Sequence, residues 1–390
     1  MSSRSDRPYD VVVFGATGFT GGLVADYIAQ NYAGDALRWA VAGRSKKKLE
    51  GVAEHLEEHS PGATVDLLEV SVEDPTSLRD MAEQTRAVLT TVGPFARYGE
   101  PVVRACVEGG ADYADITGEP EFVDAMVARY DREARDQGVR IVHCCGFDSI
   151  PHDLGALYTV HRLPKDVPLT VEGFVRSRGT FSGGTWRSAV EAMGNYRQYR
   201  GSRARPPRVP SDRRVRGIKP RIRYEDALRA WVCPLPTIDP QIVLRSARAL
   251  PVYGPDFRYG HYVRAKSLRS VAVGVAVVGS VFALSQPKIS RDLLLRARRP
   301  GQGPSRAERE KAWFDVRFIG KGGGEEITTR VAGGDPGYGE TAKMAAESAI
   351  CLACDDEQTP EAAGVITTAE AMGNRLIDRL QAAGITFEEV

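Results

Sequence analysis

The sequence predicts an α/β chain, with a doubly wound parallel sheet in its N-terminal half and a second α/β domain on a mixed or antiparallel sheet. Three observations carry this. Val11, Val12, Val13 and Phe14 suit a strand buried on both faces, and they run straight into glycines at 15, 18 and 21. Apolar strand-like runs then alternate with helical patterns up to residue 150, the order that right-handed crossovers wind into a parallel sheet. From about Pro151 the alternation breaks, and strand-like stretches appear without a helix behind each.

In chain order, Leu23, Val24, Tyr27 and Ile28 recur at helical spacing after the glycine turn, and Leu37 to Gly43 reads as the second strand. A helix follows near Lys46 to Glu58, a strand near Thr64 to Val70, a helix after Pro75 and a strand at Ala87 to Val92. Helix Glu100 to Glu108, strand Tyr113 to Ile116, helix Glu121 to Arg135 and strand Val139 to Cys145 complete the first domain, 1–150. The second domain, 151–355, holds a strand at Leu169 to Val175 and a hairpin over Trp313 to Val331, where Phe314, Val316 and Phe318 alternate with Asp315 and Arg317. A small-residue helix near Glu340 to Leu352 is expected to pack on that hairpin's sheet. The last part, 356–390, carries a helix over Thr367 to Ala383 that returns to the first domain.

The glycine triplet is read as a dinucleotide site. Gly15 permits the tight turn, Gly18 lets the backbone approach a pyrophosphate, and Gly21 lets the helix pack closely on the sheet. Ala16, Thr17, Phe19 and Thr20 supply the rest of the cradle, at a helix N-terminus that favours phosphate. The second strand ends in Gly43, Arg44 and Ser45 instead of the acidic residue that bonds a ribose 2′-hydroxyl. Arg44 can pair with a 2′-phosphate and Ser45 adds a donor, so the expected cofactor is NADP(H). Small-residue loops after later strands, Gly93, Pro94, Phe95 and then Gly118, are placed by the same topology at the carboxyl edge of the sheet, against the nicotinamide. Donors for a reaction there are Tyr98, Ser149 and Thr185, with Asp148 to orient one of them. The Tyr262 and Lys266 pair has the spacing of the short-chain reductase couple but falls far beyond the sheet, so it is set aside as chance.

Lys plus Arg 52 against Asp plus Glu 51 gives a formal charge of +1, which argues against a general nucleic-acid binder. The polar start, MSSRSDRPYD, lacks an apolar signal core, so a cytoplasmic protein with reduced thiols is expected. His143, Cys144, Cys145 and His152 suggest a metal, but the first three lie in the apolar run IVHCC and are read as strand burial, and Cys351 with Cys354 is read as helix packing. Two stretches suggest partners. Residues 200–223 form a proline-rich basic loop, either solvated or a dock for an acidic carrier protein or an anionic membrane. Residues 271–284 carry no charge and eight large apolar side chains, worth up to about 12–24 kcal/mol if buried. Fourteen residues are too short to span a bilayer as a helix, so core burial or shallow contact with the inner face of the plasma membrane is expected, and periodicity does not separate strand from helix.

Several motifs together resemble the saccharopine dehydrogenase-like oxidoreductases, and within them the actinobacterial trans-acting enoyl reductases. They are GATGFTG at Gly15 to Gly21, AGRS at Ala42 to Ser45, VGPFARYG at Val92 to Gly99, DITGE at Asp115 to Glu119, CGFDSIPHDLG at Cys145 to Gly155, SGGT at Ser182 to Thr185 and GDPGYGETAKMAAESA at Gly334 to Ala349. The resemblance implies a Rossmann domain completed by the C-terminal helix and a second α/β domain over the cofactor. It implies NADPH-dependent reduction of a carbon–carbon double bond in a lipid, glycolipid or polyketide intermediate, with an acyl substrate on a carrier. Two other readings stay open. One is an amino-acid or imine dehydrogenase of saccharopine dehydrogenase type, with Arg176, Arg178 or Arg187 holding a carboxylate; the other is a non-catalytic NADPH-binding sensor.

Overall fold

The computed structural model describes residues 4–32, 34, 37–179, 186–187, 190, 193–194, 213–296 and 303–390. They form two compact units, one of residues 1–118, 122–150 and 338–383 and one of residues 119–121, 151–337 and 384–390.

In the first unit strands and helices alternate: β1 (Tyr9–Phe14), α1 (Phe19–Asn31), β2 (Trp39–Gly43), α2 (Lys46–His59), β3 (Asp66–Glu69), α3 (Pro75–Gln84), β4 (Thr85–Thr90), α4 (Phe95–Gly109), β5 (Asp112–Asp115), α5 (Pro120–Asp136) and β6 (Arg140–Val142). All pairings are parallel and the order is β3-β2-β1-β4-β5-β6, the doubly wound order, with a seventh strand from residues 364–366 beside β6. Val11, Val12 and Val13 are fully buried, as a central strand covered on both faces requires. Buried Arg7 donates to the carbonyls of Thr85 (2.5 Å), Gly109 (2.8 Å) and Ala82 (3.1 Å), which gathers the C-terminal ends of α3 and α4 under one cation.

The chain crosses to the second unit within α6 (Ile150–Val160). Next come β7 (Leu169–Arg178), β8 (Arg214–Gly217), β9 (Arg223–Glu225), β10 (Ala230–Pro234), α7 (Asp239–Ala249) and β11 (Asp256–Ala265). Then follow α8 (Leu268–Ser285), α9 (Lys288–Arg296), α10 (Arg306–Arg309), β12 (Trp313–Gly322) and β13 (Glu325–Gly333). The chain re-enters the first unit with α11 (Gly339–Cys354), β14 (Gly364–Ile366), α12 (Thr368–Ala371) and α13 (Gly373–Ala382), and it ends in the second unit as β15 (Thr386–Glu389). The second sheet is mixed: β7 runs parallel to β11, while β12 is antiparallel to both β7 and β13. Its order is β15-β13-β12-β7-β11-β10-β9, with β8 also on β11.

Several sequence expectations are corrected. The first unit resumes at Tyr338, not near residue 356, and α11 packs on α1, β1, β4 and β5 of the first sheet instead of on the hairpin's sheet. Twelve of its residues are buried, most of them small, so it fits as a central helix, and even its Glu347 is 3% exposed. Residues 384–390 do not stay with the first unit, since β15 pairs antiparallel with β13. The C-terminal helix breaks at Met372, and Gly373 follows with φ +50°. The basic stretch is not loop throughout, because β8 lies in it and β9 begins at its last residue, Arg223; residues 200–212 fall outside the described residues. The apolar stretch is a helix four residues longer than its 14-residue charge-free core, and it is not a core helix, since 11% of it is buried.

Candidate functional site

The site is built at the point where strand order reverses, between β1 and β4. Gly15 takes φ +98°, and a Cβ there would meet Thr91 Oγ1 and Val92 Cγ2, both at 2.8 Å. Gly21 faces the carbonyl of Gly15 so closely that a Cβ would lie 2.2 Å from that oxygen. This close approach lets α1 start directly over the turn. The amide of Gly18 donates to the Gly15 carbonyl at 2.9 Å, and Gly18 caps α1 without any side chain over the helix end. The positive end of α1 and its first amides therefore face outward where a phosphate can reach them. A cleft of about 510 Å³ opens there, lined by Ala16, Thr17, Gly18 and Phe19 on one side and by Lys48 and Gly51 of α2 on the other. Thr20 lies in the first turn of α1.

At the end of β2, Arg44 is exposed and Ser45 is the N-cap of α2 with no side-chain hydrogen bond to the helix. Both stay available to a ligand, and Lys46, Lys47 and Lys48 are exposed beside them. The geometry suits a 2′-phosphate: an exposed guanidinium with no partner among the described residues and a hydroxyl at the strand end, within a basic first turn.

The loop after β4 is tied to the glycine turn. Thr91 donates its amide to Phe14 O (2.9 Å) and its hydroxyl to Gly15 O (3.3 Å), which fixes where Gly93 begins. Pro94 is the N-cap of α4 and Phe95 its first residue, so Tyr98 sits on the first turn of a helix and not in a loop, a correction to the predicted start at Glu100. Pro94 is extended at ψ 135°, and the chain turns helical directly after it. Tyr98 is half-buried, with the Arg97 guanidinium 5.0 Å from its ring centroid.

The loops after β5 and β6 are held together by Asp115, which sequence reasoning gave no role. Its Oδ1 accepts from the amides of Thr117 and Cys144, both at 3.0 Å, and its Oδ2 accepts from Tyr113 Oη (2.8 Å) and His143 Nδ1 (2.6 Å). A fully buried carboxylate is stable only with its lone pairs filled in this way. Beyond it the loops touch, because a Cβ on Gly118 would stand 3.1 Å from Asp148 Oδ2. Asp148 is exposed, whereas Ser149 is fully buried at φ +133°, with its hydroxyl unpartnered among the described residues. Phe147 N donates to Thr341 Oγ1 of α11 at 3.1 Å, a second support the sequence did not reveal. Thr185 lies outside the described residues. The structure thus gathers Gly15, Gly18, Gly21 and Gly93 at one switch point and sets Gly118 beside Asp148.

In the second unit, Arg176 lines a pocket of about 330 Å³ with Arg264, Arg317 and Arg330, and all four surround Asp315. Arg264 and Arg330 both bond that carboxylate, and the paired arginines hold it below the usual carboxylate range against the opposing effect of burial. Tyr262 is buried in β11 while Lys266 is exposed, so that pair does not form a reductase couple.

Comparison with known proteins agrees with this geometry. Residues 11–142 match the model of the saccharopine dehydrogenase NADP binding domain. A Mycobacterium tuberculosis protein with the provisional name trans-acting enoyl reductase is 37% identical, over 99% of this chain and 98% of its own. The human saccharopine dehydrogenase-like oxidoreductase is 33% identical over 100% and 99% of the two chains, and the Mycobacterium bovis trans-acting enoyl reductase is 32% identical over 99% and 98%. Apo saccharopine dehydrogenase of Saccharomyces cerevisiae shares the fold, with a TM-score of 0.55 at 12% identity over 97% of this chain and 99% of that one. The chain is therefore a member of the saccharopine dehydrogenase-like oxidoreductase family, with an NADP-binding domain at its N-terminal end.

Proposed function

We propose that this oxidoreductase uses NADPH to reduce the carbon–carbon double bond of an enoyl thioester made by a separate synthase, in lipid, glycolipid or polyketide biosynthesis. The observation that carries the reading is the end-to-end likeness to mycobacterial proteins named as trans-acting enoyl reductases. The site's chemistry supports it. The bound cofactor supplies hydride, two electrons that end on the β-carbon, and the residues of this chain need only orient the alkene, steady the enolate oxygen and pass a proton to the α-carbon. Gly15 to Gly21 hold the pyrophosphate, Arg44 and Ser45 hold the 2′-phosphate, and Gly93, Pro94, Phe95 and Gly118 border the nicotinamide. Tyr98, Ser149 and Thr185 are the donors for the oxygen or the α-carbon, with Asp148 at the lip to orient one of them. A reaction with so little acid–base work explains the lack of a loud catalytic cluster in the sequence.

The test follows NADPH absorbance with enoyl thioesters of increasing chain length, beside the reverse reaction of NADP with amino acids. Turnover of the thioesters supports the reading; turnover of amino acids alone replaces it with the imine dehydrogenase, and binding without turnover of either replaces it with the sensor. Arg44→Glu is expected to weaken NADPH by about 30-fold, since a charge-assisted bond to phosphate is worth ~2 kcal/mol, and to leave NADH unchanged. Equal loss of both coenzymes would remove the 2′-phosphate assignment.

A further inference from the structure

We infer that α8, with the first turns of α9, is an in-plane membrane anchor that seats this protein on an anionic phospholipid surface. Exposed apolar side chains are concentrated on this segment. Val273, Val275, Val277 and Val278 are 52–63% exposed, Leu268 and Leu284 about half, Ile289 88% and Leu293 71%. Residues 272–280 are all exposed, and nine consecutive positions cover every side of a helix. Over these residues the helix is thus apolar all round and, among the described residues, unpacked all round, a state that water penalises and a bilayer rewards.

Charge selects the occupant. Between Ala265 and Arg296 the chain carries Lys266, Arg269, Lys288, Arg291 and Arg296 against Asp292 alone. The cations flank both ends of the apolar run, so a second copy of this helix would set like charges together in either orientation. Anionic headgroups would meet cations at both ends instead. Tyr224, 46% exposed, lies edge-on to Trp231 at 5.8 Å, and Trp231 pairs with Ala265 just before α8. Such aromatics suit the headgroup layer.

Tethering selects the orientation. Eighteen residues make a helix of about 27 Å, close to a hydrocarbon core of roughly 30 Å. Both ends of α8, however, are held by the second unit. The helix leaves β11 with Val271 buried, and at its far end Ser285 is buried and Gln286 Nε2 donates to Met193 O at 2.8 Å. Trp186 Nε1 also donates to Leu294 O of α9 at 2.7 Å. A helix with both ends on one body cannot leave them on opposite sides of a bilayer, so α8 lies in the plane of one leaflet.

The experiment floats the full-length protein on vesicles of phosphatidylcholine with and without phosphatidylglycerol. The expected result is flotation that needs phosphatidylglycerol, at least tenfold weaker in Val277→Asp, and about fivefold weaker for each cation removed in Arg269→Gln with Lys288→Gln. No flotation with either vesicle, or flotation unchanged in the double glutamine variant, overturns the inference. So does a lipid-free dimer that Val277→Asp dissolves. The double glutamine variant decides the matter even if Val277→Asp does not fold, and a result in either direction leaves the NADPH assay untouched.

Discussion

At the residue scale, the first site rests on contacts too close for any Cβ. Gly21→Ala would drive a methyl into the Gly15 carbonyl, where a Cβ would stand at 2.2 Å. The expected cost is about 2–3 kcal/mol of stability, read as a lower midpoint in thermal denaturation, with NADPH binding lost as α1 is pushed off the turn. Gly51→Ala on α2 is the contrast. Nothing lies within 4 Å of its Cβ position, so the same change there should stabilise by about 0.5–1 kcal/mol. These roles were legible because a glycine's freedom is a property of the residue and of its neighbours in sequence. Asp115 was not legible, since Cys144 N lies 29 positions away, and neither was the Thr341 support of Phe147, 194 positions away. No local pattern marks a carboxylate whose function is to fix two distant loops.

At the scale of elements, one buried cluster joins α1, α11 and α13. Glu347, 3% exposed, accepts from Tyr32 Oη (2.6 Å), Tyr27 Oη (2.7 Å) and Arg379 Nε (2.8 Å), and Arg379 reaches Asp355 at 2.9 Å. Arg379→Ala leaves the Glu347 carboxylate buried with its two tyrosines but without a cation, while Asp355 keeps Arg375 Nε at 2.8 Å, and a loss of about 3 kcal/mol is expected in urea denaturation. A shift within a few tenths of a kcal/mol would show that solvent replaces the guanidinium. Periodicity located α11 but not its partners, because its buried side is small alanines, Ala342, Ala345, Ala346 and Ala349, and its one charged stripe includes Glu347, itself buried among partners from distant elements. The alternate valines of α8 left strand and helix open for the related reason that an apolar residue at every position fits either period. The parallel strands were legible because burial on both faces leaves unbroken apolar runs, as at Val11 to Val13.

At the scale of the whole molecule, the two units should differ in their response to acid. In the second unit His152 Nδ1 lies 2.7 Å from Asp239 Oδ1, and His261 Nε2 lies 3.5 Å from Oδ2. Burial pushes His261 down to about 4 from 6.5, only partly opposed by the Asp239 charge. A histidine kept neutral in the fold takes up its proton more readily when unfolded, so its contribution is present above about pH 6.5 and is lost as pH falls towards 4. Asp239 acts in the same direction: burial alone would raise it, but its histidine partners hold it below the ordinary carboxylate range. Stability of the second unit, followed by hydrogen exchange, should therefore fall over that window, and His261→Gln should flatten the slope; an unchanged slope would assign acid sensitivity elsewhere. The boundary at residue 150 was legible as a change of rhythm, whereas the return at Tyr338 and the final exit at Gly384 were not, since which sheet a strand joins is decided by distant edges.

That interleaved path has a consequence for synthesis. Residues 338–383 belong to the unit that starts the chain, and β15 closes an edge of the sheet begun by β7. During synthesis neither sheet can close until residues 338–390 have emerged, so nascent chains carry two unfinished sheets with open edges until then, the condition in which chaperone capture and premature strand pairing compete with folding.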